Sequence, residues 1–116
     1  MWRVLVVDDE ADVRFVVRAA FVGAGHDVVE AGHGRAAVDL IGVARPDLVV
    51  TDIMMPVMDG RELIVWLRAR QETLAISILA LTGLPAESVG ADATLMKPFA
   101  GVEVLDAGLS LLGRAV

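Results

Sequence analysis

The stretch Leu48-Val49-Val50-Thr51-Asp52-Ile53-Met54-Met55-Pro56 constrains this chain more than any other. Aliphatic and β-branched residues run without interruption, deliver one carboxylate at Asp52, and stop at Pro56. An apolar run of this length reads as a strand buried on both faces, as in a parallel sheet. In open α/β sheets, ligand chemistry gathers at the carboxyl ends of such strands. Asp52 stands at that end. A lone buried carboxylate is costly unless a cation or hydrogen bonds compensate it, so the rest of the sequence has to supply the compensation.

Strand and helix signals alternate on either side. Arg3–Val7 is the first apolar run and leads into Asp8-Asp9-Glu10. Val13, Val16, Val17, Ala20 and Phe21 then recur at helical spacing until Gly23 and Gly25 stop them. Asp27–Ala31 reads as a second strand, and Ala36–Val43 as a second helix closed by Gly42 and Pro46. Beyond the Asp52 strand, Gly60 precedes a third helix from about Arg61 to Arg70. Ile76–Leu81 is a fourth strand ending at Thr82, and Ala93–Met96 a brief fifth that runs into Lys97-Pro98. Val102, Leu105, Leu109 and Leu112 mark a last amphipathic helix, with Val104, Leu111 and Ala115 as a second apolar stripe beside the core-facing one. This alternation predicts an α/β fold of three layers, with parallel strands, right-handed crossovers and helices on both faces of the sheet.

One connection is short. Only Gly83 to Asp92, ten residues, joins the fourth strand to the fifth, whereas a parallel crossover normally takes a dozen or more. Two glycines and Pro85 leave Pro85–Val89 as one or two turns at most, with Pro85 suited to a first helical position.

Composition narrows the function classes. A chain of 116 residues is expected to be one domain, 1–116. Hydrophobic content is 56%, yet no run approaches the roughly 18 apolar residues of a membrane span. The strand-like start at Met1-Trp2-Arg3-Val4 leaves no room for a signal peptide, and cysteine is absent, so a cytoplasmic location is expected. The net charge of −6 argues against a nucleic-acid partner, whose binding surfaces are basic.

The polar residues at the strand ends carry the chemistry. A parallel sheet opens all these ends on one edge, where Asp8, Asp9, Asp52, Thr82 and Lys97 can converge. Three carboxylates together repel one another and call for a cation. Oxygen ligands without Cys or His suit Mg²⁺, which keeps waters and takes one or two carboxylates plus a phosphate. Lys97 is a point charge for a phosphate and Thr82 a hydroxyl donor. A carboxylate nucleophile, a metal and donors for equatorial oxygens make up the apparatus of phosphoryl transfer. As plain alternatives, Asp8 and Asp9 could cap the first helix. Met54, Met55 and Met58 read as packing and loop residues, His26 and His33 as solvated turn residues, and Trp66 as core or half-exposed cover.

The motifs Val6-Val7-Asp8-Asp9-Glu10, Pro46 to Pro56, Met58-Asp59-Gly60, Thr82-Gly83, Gly90-Ala91-Asp92 and Lys97-Pro98-Phe99, in this order, resemble the receiver domain of bacterial two-component response regulators. The resemblance spans nearly the whole chain. It implies a flavodoxin-like sheet of strand order 2-1-3-4-5, with a shortened or absent fourth helix here. It further implies Asp52 as phosphoacceptor, served by a sensor histidine kinase or phosphotransfer protein. Asp9, Asp52 and the backbone carbonyl of Met54 would hold Mg²⁺, with Asp8 acting through water, and Thr82 and Lys97 would contact the phosphoryl oxygens. The Lys97–Pro98 peptide is expected to be cis. The family's usual aromatic residue three positions before the lysine is replaced by Thr94. Such a domain promotes only its own phosphorylation and hydrolysis, acts on a downstream protein, and is expected to have no output domain after Val116. The short crossover, together with the second stripe on the last helix, points to a rebuilt output face and a homodimer contact.

Two other classes fit less well. A haloacid-dehalogenase-type phosphatase also uses an aspartyl nucleophile but needs a second Asp two residues on, where this chain has Met54. A nucleotide-binding flavodoxin-like domain needs glycines after the first strand, where this chain is acidic. A pseudo-receiver, a protein-binding module without phosphotransfer, would be favoured if any of the five site residues were missing. None is missing.

Overall fold

The computed structural model describes residues 1–114, without the side chain of Arg114. Five strands, β1 (Arg3–Val7), β2 (Asp27–Ala31), β3 (Leu48–Asp52), β4 (Ser77–Leu81) and β5 (Ala93–Leu95), alternate with five helices. The helices are α1 (Ala11–Gly23), α2 (Gly34–Val43), α3 (Gly60–Arg68), α4 (Ala86–Val89) and α5 (Gly101–Arg114). All strand pairs are parallel, in the order β2-β1-β3-β4-β5. The expected architecture is therefore present.

Side-chain alternation along each strand divides the interior in two. Val4, Val6, Leu48, Val50, Leu79 and Leu81 face α1 and α5, packing with Val17, Phe21, Val104, Leu111 and Leu112. Leu5, Val7, Val49, Ile78 and Ala80 face the other way, against Ala37 and Ile41 of α2, Leu63, Ile64 and Leu67 of α3, and Val89 of α4. Every residue of β3 and β4 is buried, as the uninterrupted apolar runs require.

Helix ends follow local chemistry. Gly25, at φ +92°, closes α1 in a Schellman arrangement, with His26 N–H donating to the Phe21 carbonyl and Gly25 N–H to that of Val22. Asp59 and Glu62 form a reciprocal capping box at the start of α3. The two histidines are not merely solvated. His33 Nδ1 accepts from Ala36 N–H at 3.2 Å and starts α2 two residues before Ala36, while His26 Nδ1 accepts from Trp2 N–H at 3.0 Å.

The last helix corrects the expected stripe. Val104 and Leu111 are core residues, whereas Val102 is 63% exposed. The reason is Gly108, one turn from each. A Cβ there would lie 2.6 Å from Phe21 Cζ and 2.8 Å from Leu48 Cδ2, so the helix seats its Val104–Gly108–Leu111 face on the sheet. Ala115, the third member of the expected stripe, lies outside the described residues. The apolar seat assigned to a homodimer contact is therefore part of the core.

The short crossover is as expected. Helix α4 is one turn of four residues, stopped by Gly90 at φ +78°.

Candidate functional site

Strand register builds the site. Val7 is level with Thr51 across β1 and β3, Asp52 with Leu81 across β3 and β4, and Leu81 with Leu95 across β4 and β5. The next residues along these strands, Asp8, Thr82 and the Met96-Lys97 pair, therefore emerge beside Asp52. Carboxylate oxygens of Asp8, Asp9, Glu10 and Asp52 all lie within 4.8 Å of one another.

Lys97 sits among them. Its Nζ is 2.8 Å from Asp8 Oδ2, 3.2 Å from Asp52 Oδ2 and 3.4 Å from Glu10 Oε1. Backbone amides hold the other oxygens, Ile53 N–H donating to Asp52 Oδ1 at 2.8 Å and Glu10 N–H to Asp8 Oδ1 at 2.9 Å. Asp8 is completely buried, and its Oδ2 has the lysine charge nearby but no hydrogen bond of good direction. Burial, opposed by the Lys97 contact and the Glu10 amide, pushes the Asp8 carboxyl above its ordinary value. The folded chain thus holds a proton on Asp8 more tightly than the unfolded chain, and stability falls as pH rises through that range. Lys97 is raised too, because hydrogen bonds and charge attraction from Asp8 and Asp52 outweigh its desolvation. One ammonium reaches three of the four clustered carboxylates. A buried, directionally unsatisfied oxygen within an all-oxygen cluster fits a hard divalent cation such as Mg²⁺.

Thr82 and Met54 line a cleft of about 300 Å³ with Asp52 and Lys97, roofed by Leu84 and Met96. The Thr82 hydroxyl oxygen accepts from Leu84 N–H at 3.2 Å. The Lys97–Pro98 peptide is cis. Thr94, in the place of the usual aromatic residue, lies in β5 opposite Ala80. Asp8, Asp9, Asp52, Met54, Thr82 and Lys97 thus border one edge of the sheet.

Two glycines let the surrounding elements close in. A Cβ on Gly60 would lie 2.1 Å from the Asp52 carbonyl oxygen, and one on Gly34 would lie 2.7 Å from the Met58 carbonyl oxygen. Between them the β3–α3 loop makes a tight turn, Met58 N–H donating to the Pro56 carbonyl at 2.8 Å around Val57 at φ +69°. A β-branched residue in that region is strained.

Comparison with known proteins agrees with this geometry. The family described as "Response regulator receiver domain" matches residues 4–108. The chain belongs to that family. It is similar to the response regulator MprA of Mycolicibacterium vanbaalenii, 43% identical over 97% of this chain and 51% of that protein. The MprA protein of Mycobacterium avium is 40% identical over the same shares. The chain thus spans about half the length of the curated relatives it matches. Among solved structures, the chemotaxis response regulator CheY4 of Vibrio cholerae superimposes with a TM-score of 0.85, at 34% identity over 100% of this chain and 99% of that one. The signal receiver domain of a histidine kinase from Syntrophus aciditrophicus gives 0.91, at 27% identity over 98% and 92%.

The receiver domain contains three site neighbours that the sequence did not single out. Glu10 completes the acidic group, and its only sequence signal was adjacency to Asp8 and Asp9. Arg14 Nη1 donates to the Asp8 carbonyl at 2.6 Å, and Arg61 lines the Asp52 cleft. Nothing in their spacing marks either arginine. Among the described residues no helix is long and apolar enough to cross a membrane.

Proposed function

We propose that this receiver domain is a phosphorylation-driven switch, taking a phosphoryl group onto Asp52 from the phosphohistidine of a sensor kinase or phosphotransfer protein. The observation that carries this reading is the Asp52 carboxylate, with Lys97 Nζ at 3.2 Å and the other acidic oxygens within 4.8 Å. An Asp52 oxygen forms the new bond to phosphorus as the phosphorus–nitrogen bond breaks, and the imidazole nitrogen leaves with the electron pair. Water later attacks phosphorus, releasing inorganic phosphate and restoring the carboxylate.

Each residue has a role in this reading. Lys97 and the Thr82 hydroxyl meet the phosphoryl oxygens, which carry the charge of the transition state. Asp8, Asp9, Asp52 and the Met54 carbonyl would hold Mg²⁺, Asp8 through water. The bound cation neutralises the crowded oxygens. Lys97, within 2.8 Å of Asp8 and 3.2 Å of Asp52, stands where it would meet a phosphoryl group on Asp52. No substrate other than the donor and water is involved, and the changed surface is read by a downstream protein.

Incubation with acetyl phosphate and Mg²⁺, followed by intact mass measurement, should show one added phosphoryl group, and EDTA should prevent it. Asp52→Asn should abolish uptake. It also removes one of the crowded charges, so in EDTA the variant should melt no lower than the parent. Labelling of the Asp52→Asn variant would overturn the acceptor assignment.

A further inference from the structure

Arg61 stands between the acceptor and the shortened helix. Its position is fixed by Gly60, which presses against the Asp52 backbone and donates its N–H to the Ile53 carbonyl at 2.8 Å. Arg61 therefore opens α3 at the rim of the cleft that also holds Asp52, Thr82 and Lys97. The same side chain borders the neighbouring groove formed with Ser88, Val89 and Gly90. There its Nη1 donates to the Ser88 carbonyl at 3.1 Å, on the single turn of α4.

The charge of Arg61 has no counterpart. Among the described residues, Arg14, Arg18, Arg68 and Lys97 have carboxylates within ion-pair distance, whereas Arg61, like Arg3, Arg35, Arg45 and Arg70, has none, and of these five only Arg61 borders the Asp52 cleft. Glu62, its neighbour in sequence, is engaged at the Asp59 amide in the capping box. One of five guanidinium donors is engaged, by a neutral and exposed acceptor. A guanidinium so placed can pair its planar fork of donors with two oxygens of a phosphoryl group.

We infer that Arg61 is a phosphoryl-sensing residue that ties the state of Asp52 to α4. Without phosphate it holds α4 through the Ser88 carbonyl. When Asp52 carries a phosphoryl group, the guanidinium turns into the shared cleft and pairs with its oxygens, releasing that carbonyl to water. The exchange is favourable because the phosphoryl oxygens are ionised and accept from the guanidinium more strongly than the uncharged Ser88 carbonyl does. The exposed Ser88 carbonyl is not left buried and unpaired. Release matters because α4 has only one turn, otherwise held by the buried Val89 side chain and, at Gly90 just past it, by Arg68 Nε to the carbonyl at 3.3 Å. This inference rests on the receiver reading above.

The test is hydrogen exchange of the Ala86–Ala91 amides in the full chain, with and without acetyl phosphate and Mg²⁺, alongside intact mass. In the parent, phosphorylation should speed exchange there by about tenfold, the effect of losing one ordinary hydrogen bond. Arg61→Ala should exchange fast in both states and show no further change in whatever fraction of it intact mass finds to be phosphorylated. Arg61→Lys, which keeps a charge without the fork, should respond in part. A residue that merely braces α4 would raise exchange when removed but leave the phosphorylation-dependent step intact in Arg61→Ala, and that result overturns the inference. A parent that is phosphorylated with α4 exchange unchanged overturns it alone. A parent that takes up no phosphoryl group overturns the receiver reading and this inference with it.

Discussion

The two faces of the sheet are built differently. On one, α1 and α5, of 13 and 14 residues, cover the sheet and lock together where the Phe21 ring fills the space a Gly108 side chain would occupy. On the other, α2, α3 and α4 shrink from 10 to 9 to 4 residues. Both faces depend on a glycine, but the atoms it meets are of different kinds. Gly108 meets side-chain carbons, which can shift, whereas Gly60 meets the carbonyl oxygen of Asp52, which cannot shift without moving the backbone of that residue. The thick face is thus a packing device. The thin face is joined to the site by the Gly60 backbone contact and by Arg61, which borders the Asp52 cleft and bonds the Ser88 carbonyl.

The largest effect should come from Gly60→Ala. A Cβ 2.1 Å from a backbone oxygen has no rotamer with which to escape, so the first turn of α3 must leave Ile53 and Asp52. We expect a loss of about 3 kcal/mol or more by denaturant unfolding, together with loss of phosphoryl uptake even where the variant is folded. A variant that keeps both stability and uptake would erase the distinction between the faces.

Gly108→Ala should be milder. Alanine favours a helix over glycine by about 1 kcal/mol, while overpacking Phe21 and Leu48 costs about 1–3 kcal/mol. The net should be a destabilisation of about 1 kcal/mol with phosphoryl uptake unchanged. Loss of uptake would show that the thick face reaches the site after all.

The same contrast explains what was legible in the sequence. Uninterrupted apolar strands and polar residues just past their ends are local patterns, so β3, Asp52 and the convergence of Asp8, Asp9, Thr82 and Lys97 were readable. The one-turn α4 followed from counting residues between Thr82 and Ala93. On α5, Leu105, Leu109 and Leu112 do pack on the core as read, and what failed was Val102 and the second stripe, because apolar spacing alone could not show that Gly108 brings Val104 and Leu111 to the sheet. Val104 and Leu111 face inward on account of an absent side chain. Arg61 and Arg14 escaped notice for a related reason. Long side chains reach partners chosen by tertiary packing, the Ser88 and Asp8 carbonyls, and leave no periodic trace.

The smallest expected effect lies in the loop that ties α2 and α3 to the site. Val57 is held at φ +69° inside a three-residue turn and is 77% exposed, so its side chain contributes little packing while its backbone is strained. Glycine would remove a strain of about 1–3 kcal/mol but adds roughly 0.5–1 kcal/mol of freedom to the unfolded chain. The strain term is the larger. Val57→Gly should therefore stabilise the fold by about 0.5–1 kcal/mol, a rise of a few degrees in melting temperature. The Met58 carbonyl that receives Gly34 N–H at 2.9 Å should stay in place, since the turn keeps its shape. Phosphoryl uptake should be unchanged. A lower melting temperature would mean that valine holds this turn through its side chain, and that the thin face is braced by packing as the thick face is.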